Sequence, residues 1–330
     1  MNIYAYRLPR RKRLKIACSE VMKSGIISDS FVIAPFNSGQ ECMSIPEECL
    51  LRVEELDDAI AREYERGQKP DFVFPERSTT EEEHRAEVAT FIESINNGEM
   101  KKCVAARVIV REETVSPAKV FLSLCEKYPD ALVFLFHTEK SGTWIGASPE
   151  ILMKKKGERL WTMALAGTRE AYSQEFWPKK EVNEHRAVVD FITGILKQHR
   201  QPYTISEPKI LVAGPVEHLM TRIKAKSTDF NKTIEIIKDL SPTPAVAGMP
   251  RETALEKIKA AESFERGYYG GVAGPVDEND DCQLHVNLRS MRYEPDRIAI
   301  YVGGGIMGDS DPKSEWIETE RKAQTILSVI

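Results

Sequence analysis

Two short acidic segments carry the spacing most suggestive of chemistry. Glu181-Val182-Asn183-Glu184 and Glu315-Trp316-Ile317-Glu318 each set two carboxylates three residues apart. On a helix an i, i+3 pair shares one face. Two such faces turned toward each other supply oxygen ligands to a hard cation, and Mg²⁺ takes one or two carboxylates together with waters and substrate oxygens. The same spacing fits ordinary acidic residues near helix N-termini, where the macrodipole favours them. With 51 acidic residues in the chain, spacing alone leans to that plainer reading. Gly303-Gly304-Gly305 precedes Ser310-Asp311-Pro312 at a helix start. It reads as a tight turn or as a place where backbone N–H groups approach an anion. It has neither Walker nor G-x-G-x-x-G spacing, which argues against a nucleotide. Arg289 and Lys322 would add positive charge for a carboxylate if the fold brought them there. Lys102 opens an apolar run, Cys103-Val104-Ala105-Ala106. A lysine in such surroundings can serve as a base through desolvation, although most lysines flanking strands are simply exposed. Glu150 follows Ser148-Pro149 with no special local signal, and His185 and His218 read singly as structural.

These residues need positioning elements. Ser78-Thr79-Thr80 caps a helix running to about Asn97, with Gly98 as its stop. Cys103–Val110 reads as a buried strand, and Ser116-Pro117 starts a helix to about Tyr128. Short strands follow at Ala131–His137, Thr143–Gly146, Ile151–Lys155 and Leu160–Ala164, then a long helix, about Lys179 to Gln198. Strands resume near Ile210 and over His218–Lys226, with helices near Phe230–Leu240 and Glu252–Ala260. The end is strand-rich (Gly271–Val276, Leu284–Arg292, Ile298–Val302) before a final helix, about Pro312 to Val329. The first 75 or so residues are mixed, with one strand expected over Phe31–Phe36. Strands in adjacent groups without βαβ alternation indicate an α+β fold with largely antiparallel sheets. No Gly/Ser/Pro-rich linker divides the chain, and no repeat is established by spacing, so residues 1–330 read as one domain.

Composition narrows the function classes. The chain has 330 residues, 42% hydrophobic and 29% charged, with a net charge of −5. That mildly acidic balance gives no footprint for nucleic acid, and the cluster Arg10, Arg11, Lys12, Arg13, Lys15 reads as a solvated segment. No apolar run approaches the ~20 residues of a membrane span, and no secretory signal is read at the N-terminus. Six cysteines are scattered without zinc-type pairing. A cytoplasmic, reduced, monomeric protein acting on a small molecule is expected.

Taken together, the segments resemble the chorismate-utilising enzymes: isochorismate, salicylate, anthranilate and aminodeoxychorismate synthases. The matches run in order over about residues 98 to 328. They are Lys102-Cys-Val-Ala-Ala-Arg107, Ile145-Gly-Ala-Ser-Pro-Glu150, Ala164-Leu-Ala-Gly-Thr168, Glu184-His185, His218-Leu219 and Ser241-Pro-Thr-Pro-Ala-Val-Ala-Gly248. Glu265-Arg266, Tyr269-Gly-Gly271, Arg289-Ser290, Gly303-Gly-Gly-Ile306 and Glu315-Trp-Ile-Glu-Thr319 with Lys322 complete the set. The resemblance implies two large antiparallel sheets packed together with helices outside. It implies that Glu184 and Glu318 bind Mg²⁺, with Glu181 and Glu315 supporting through water. It assigns Arg289, the Gly303, Gly304 and Gly305 amides and Lys322 to substrate carboxylates. Gly167, Thr168 and His218 would line the ring, beside Ala245 and Val246.

Within the family, water-adding enzymes are similar to this chain in carrying lysine at the position of Lys102, where aminating enzymes carry glutamine. The resemblance therefore implies that Lys102 deprotonates water attacking C2 of chorismate while Glu150 protonates the departing C4 hydroxyl. The Pro244-Ala245-Val246 stretch also looks like isochorismate synthases, with menaquinone biosynthesis the favoured context beside siderophore or salicylate formation. Salicylate synthases, which go on to eliminate pyruvate, share the lysine and glutamate but tend to a Thr-Ala-Ser-Gly-like loop that is absent here. An aminating enzyme would also need a glutaminase partner or free ammonia. The segment before the first motif (residues 1–75) is short for the family, so the N-terminal sheet edge is the element the resemblance does not fix. Cys103, Ala105, Met163 and Asn287 depart from the usual residues without removing a catalytic group.

Overall fold

A computed structural model of the chain describes residues 1–36, 41–67, 70–213, 216–227 and 229–330. Two antiparallel sheets are packed together. The nine-stranded sheet runs in the order Gly248–Met249, Lys102–Arg111, Arg297–Ile306, Ser290–Glu294, Gly142–Ser148, Leu132–Thr138, Asn2–Arg7, Leu14–Ser19, Cys49–Leu50. The ten-stranded sheet is built around Val216–Lys226, Arg159–Glu170, Ile151–Lys156, Cys282–Val286, Val272–Val276 and Ser30–Ala34. Aromatic side chains from both sheets fill the space between them. Tyr4 stacks on Phe31 at 5.3 Å, and Trp144 meets Tyr301 at 5.1 Å.

Strand alternation decides which side chains reach the gap between the sheets. Along Lys102–Arg111, Ala106 and Val108 join the aromatic layer, while Cys103 and Ala105 pack outward. Lys102 and Val104 share the inward parity. Helices cover the outer faces. Lys179–Gln198 packs on Arg159–Glu170, and Pro312–Leu327 packs on Arg297–Ile306 and on Glu81–Asn96. Their ends follow local capping. Thr80 accepts from the Glu83 amide at 3.2 Å while Glu83 reaches back to Thr80. Asp311 accepts from the Ser314 amide at 2.8 Å ahead of Pro312.

The N-terminal segment builds edges for both sheets. Asn2–Arg7 and Leu14–Ser19 extend one, and Ser30–Ala34 with Met43–Pro46 extends the other. The basic residues expected to be merely solvated sit largely at the turn joining the first two strands. Lys15 lies within the second strand and pairs with Glu47.

Two sequence expectations need correction. The single strand expected over Leu284–Arg292 is two strands, Cys282–Val286 and Ser290–Glu294, which belong to different sheets. Arg289, at φ +51°, turns the chain between them; without glycine or proline there, periodicity passes over the break. Gly303-Gly304-Gly305 is not a turn. The strand Arg297–Ile306 runs through it, with Gly303, Gly304 and Gly305 opposite Ala106, Ala105 and Val104.

A second crossing between the sheets lies at Pro149 and Glu150, between Gly142–Ser148 and Ile151–Lys156. The crossings run side by side. The Val286 amide donates to the Glu150 carbonyl, and the Ala147 amide donates to that of Arg289, both at 3.1 Å.

Nearby, buried Arg266 clamps three segments. It donates to the Val246 carbonyl at 2.6 Å and the Val104 carbonyl at 2.7 Å, pairs with Glu262, and lies 4.5 Å over the Phe36 ring. Removing one partner of a buried pair leaves the other uncompensated. Arg266→Ala is expected to lower the unfolding free energy by about 3–5 kcal/mol in urea titration, and adding Glu262→Ala should cost less than the sum of the single losses.

Candidate active site

Most of the residues singled out in the sequence converge on one cavity between the sheets. Lys102 enters at the start of its strand, and Glu150 and Arg289 enter from the two adjacent crossings. Gly167, Thr168 and His218 come from the paired strands Arg159–Glu170 and Val216–Lys226. Glu184 and Lys322 reach in from the two covering helices, beside Gly303, Gly305 and Ala245. Val246 stands apart. It is buried in the core, and its carbonyl accepts Arg266 instead of facing the cavity. Tyr269, Tyr301 and Leu165 also line the cavity. Tyr301 drew no attention in the sequence, and its inward strand parity with Gly303 and Gly305 is the signal that would have found it.

Lys102 and Glu184 form a buried ion pair at 2.6 Å, with side chains 1% and 8% exposed. The pair fits because Gly305 has no side chain. A Cβ there would collide with Glu184 Oε1 and come within 3.1 Å of Lys102 Cε. On Gly304, a Cβ would lie 3.2 Å from Glu315 Oε2 and 3.7 Å from Glu318 Oε1. The glycines expected to offer amides to an anion thus have a steric task in this structure. They leave a bare strand end on which carboxylates from two helices close in.

Backbone geometry fixes those carboxylates. A bulge between Ala166 and Thr168 puts Gly167 at φ +76°. Its amide donates to Glu184 Oε2 at 3.2 Å, and the Thr168 amide donates to Glu181 Oε2 at 2.6 Å. A side chain on Gly167 would press to 2.8 Å from the Glu181 carbonyl oxygen. Lys322 lies 2.5 Å from Glu318 Oε1 and donates to the Gly303 carbonyl at 2.8 Å. Lys180 lies 2.7 Å from Glu315 Oε1.

Electrostatics separate the acids. Burial pushes the Glu150 carboxyl up to about 7, against the pull of Lys102, Thr243 and Lys322. Burial and repulsion from Glu184 raise Glu181 to about 7, and burial with repulsion from Glu318 raises Glu315. Burial also raises Glu318, but its ion pair with Lys322 outweighs this and leaves the carboxyl below its usual range. Burial beside Arg289 and Lys322 holds His218 neutral, down to about 3. Its Nδ1 lies 3.2 Å from the Gly167 carbonyl; donating there leaves Nε2 as acceptor. His185, by contrast, is bonded to Thr221 Oγ1 at 2.7 Å and takes a structural place.

The acid cluster has the donor chemistry of a hard-cation site: four carboxylates, oxygen donors only, around a strand end that a Cβ would fill. As the side chains stand among the described residues, no three of them converge on a single point. Lys102 holds Glu184 and Lys322 holds Glu318, while Lys180 lies between Glu315 and Glu181.

Comparison with known proteins places this arrangement. The chorismate binding enzyme model matches residues 29–330. The chain is 26% identical to the isochorismate synthase EntC of Escherichia coli K12, over 97% of this chain and 86% of that protein. It is 32% identical to the salicylate biosynthesis isochorismate synthase of Pseudomonas aeruginosa, over 71% of this chain and 52% of the relative. The structure of MenF, the menaquinone-specific isochorismate synthase from Escherichia coli, superposes with a TM-score of 0.80 at 21% identity, covering 100% of this chain and 88% of the other. A family match over nearly the whole chain, carried by a two-sheet fold with its charged cavity at the seam, makes this protein a member of the chorismate-binding enzymes.

Proposed function

We propose that the protein is an isochorismate synthase, converting chorismate to isochorismate by adding water at C2 and losing the C4 hydroxyl. One observation carries the reading: Lys102 and Glu150, a base and an acid from separate segments, line the same cavity. Lys102 acts as base in its neutral form, taking a proton from the attacking water once its ion pair with Glu184 is given up. Glu150, protonated below about pH 7 because it is buried, delivers a proton to the departing hydroxyl. The pair gives and takes one proton each, so the site ends one turnover needing only a proton exchange to begin the next. Arg289 and Lys322 bind substrate carboxylates, while Thr168 and His218 border the ring. Magnesium held among Glu181, Glu184, Glu315 and Glu318 would supply positive charge opposite a substrate carboxylate. Lysine at position 102 favours water over ammonia as nucleophile. Menaquinone formation is the pathway we favour for the product.

Incubating the purified protein with chorismate and Mg²⁺, with and without ammonium, tests this directly. Isochorismate formed independently of ammonium is the expected product by chromatography and mass. Salicylate with pyruvate, or an aminated product, would replace this reading.

The acid role has a signed pH dependence. A carboxyl raised to about 7 loses its proton as pH climbs through that value, so kcat/KM should fall on the alkaline side. Glu150→Gln should remove that limb and lower kcat by about 10²–10⁴-fold; an unchanged limb in the variant would assign it to another group.

Gly305→Ala tests the steric argument. The added methyl displaces the Lys102–Glu184 pair, so turnover should collapse while circular dichroism stays native. Wild-type turnover would show that the bare strand end is not required.

A further inference from the structure

Three lysines face the four carboxylates, and only two line the cavity. Lys102 and Lys322 do; Lys180 does not, and catalysis as described gives it no task. It occupies the first turn of Lys179–Gln198, where the helix macrodipole opposes an ammonium group. What holds it there is acidic. Its Nζ lies 2.7 Å from Glu315 Oε1 and 3.7 Å from Glu181 Oε1, bridging the two acid-bearing helices.

We propose that Lys180 is a built-in counter-cation, which holds the outer carboxylates together in the cation-free enzyme and weakens the grip of a divalent cation on the cluster; this rests on the reading of the cluster as a magnesium site. Both outer carboxylates have a second anchor. Ser310 Oγ donates to Glu315 Oε1 at 2.7 Å, and the Thr168 amide donates to Glu181 Oε2 at 2.6 Å. Removing Lys180 therefore changes the charge at the cluster more than the placement of its acids. Repulsion between an ammonium and a dication a few ångströms apart, partly shielded from water, outweighs one lost orienting hydrogen bond. The trade is useful to an enzyme: the cluster survives without its ion, and the ion exchanges readily.

The experiment is calorimetric titration with MgCl₂, without substrate, of the wild-type protein, Lys180→Met and Lys180→Arg, alongside thermal melts with and without Mg²⁺. Lys180→Met should bind Mg²⁺ about tenfold more tightly or better. Its melting temperature should fall without the ion and recover with it. Lys180→Arg, which keeps the charge, should behave as wild type. Equal or weaker binding by Lys180→Met, or the same loss of melting temperature with and without Mg²⁺, would overturn the proposal while leaving the cation site intact. Binding by Lys180→Met alone would support it. No Mg²⁺ binding by either protein would overturn the magnesium reading, and this proposal with it.

Discussion

Lys102 and Glu184 meet 2.6 Å apart with almost no access to water, and much of the architecture is arranged around keeping that contact compensated. A buried charge that loses its partner costs several kcal/mol, so the pair cannot stand alone. The Gly167 amide satisfies the second oxygen of Glu184, the bulge at Gly167 aims that amide, and Gly305 leaves room for both partners. The same logic extends outward through Lys322 on Glu318 and Lys180 on Glu315. Backbone amides as well as charge place Glu184 and Glu181, while among the described residues Glu315 and Glu318 are held by side chains alone.

The seam exists because the chain changes sheets twice at neighbouring points. Strands within one sheet alternate their side chains between two faces and offer a cavity only every second residue. At a crossing, consecutive residues turn off that schedule. Glu150 and Arg289 stand at the two crossings, tied to each other's segments by main-chain bonds. An acid whose proton is held to about pH 7 and a buried guanidinium thus enter the cavity from rigid backbone.

Much of this was legible beforehand. Thr80, Ser116 and Asp311 are local caps, each accepting from an amide in the first turn of its own helix, so the helix starts follow from sequence. The helix Lys179–Gln198 with its acid pair lies where the sequence placed it. The run from Leu284 to Arg292 was not, because a sheet crossing without glycine or proline leaves the apolar pattern unbroken. Gly303–Gly305 read as a loop because three glycines lack strand propensity. In the fold, pairing with Ala106, Ala105 and Val104 overrides that preference, and the lost side chains become the space the carboxylates need. Apart from the one expected over Phe31–Phe36, the N-terminal strands escaped notice because their partners lie far away, as with Asn2–Arg7 beside Leu132–Thr138.

By itself the sequence determined the residue types of the site and the local elements that carry them: the acid pairs at i, i+3, the lysine opening an apolar strand, and the capped helices. These depend on neighbours within a few positions. The tertiary structure decided which of those groups meet. That Lys102 faces Glu184 across Gly305, that Lys180 bridges two helices, that Val246 turns to the core and that Tyr301 enters the cavity all depend on the packing of two sheets. Spacing along a chain places side chains on a face; only the packing of one face against another sets the distance between them.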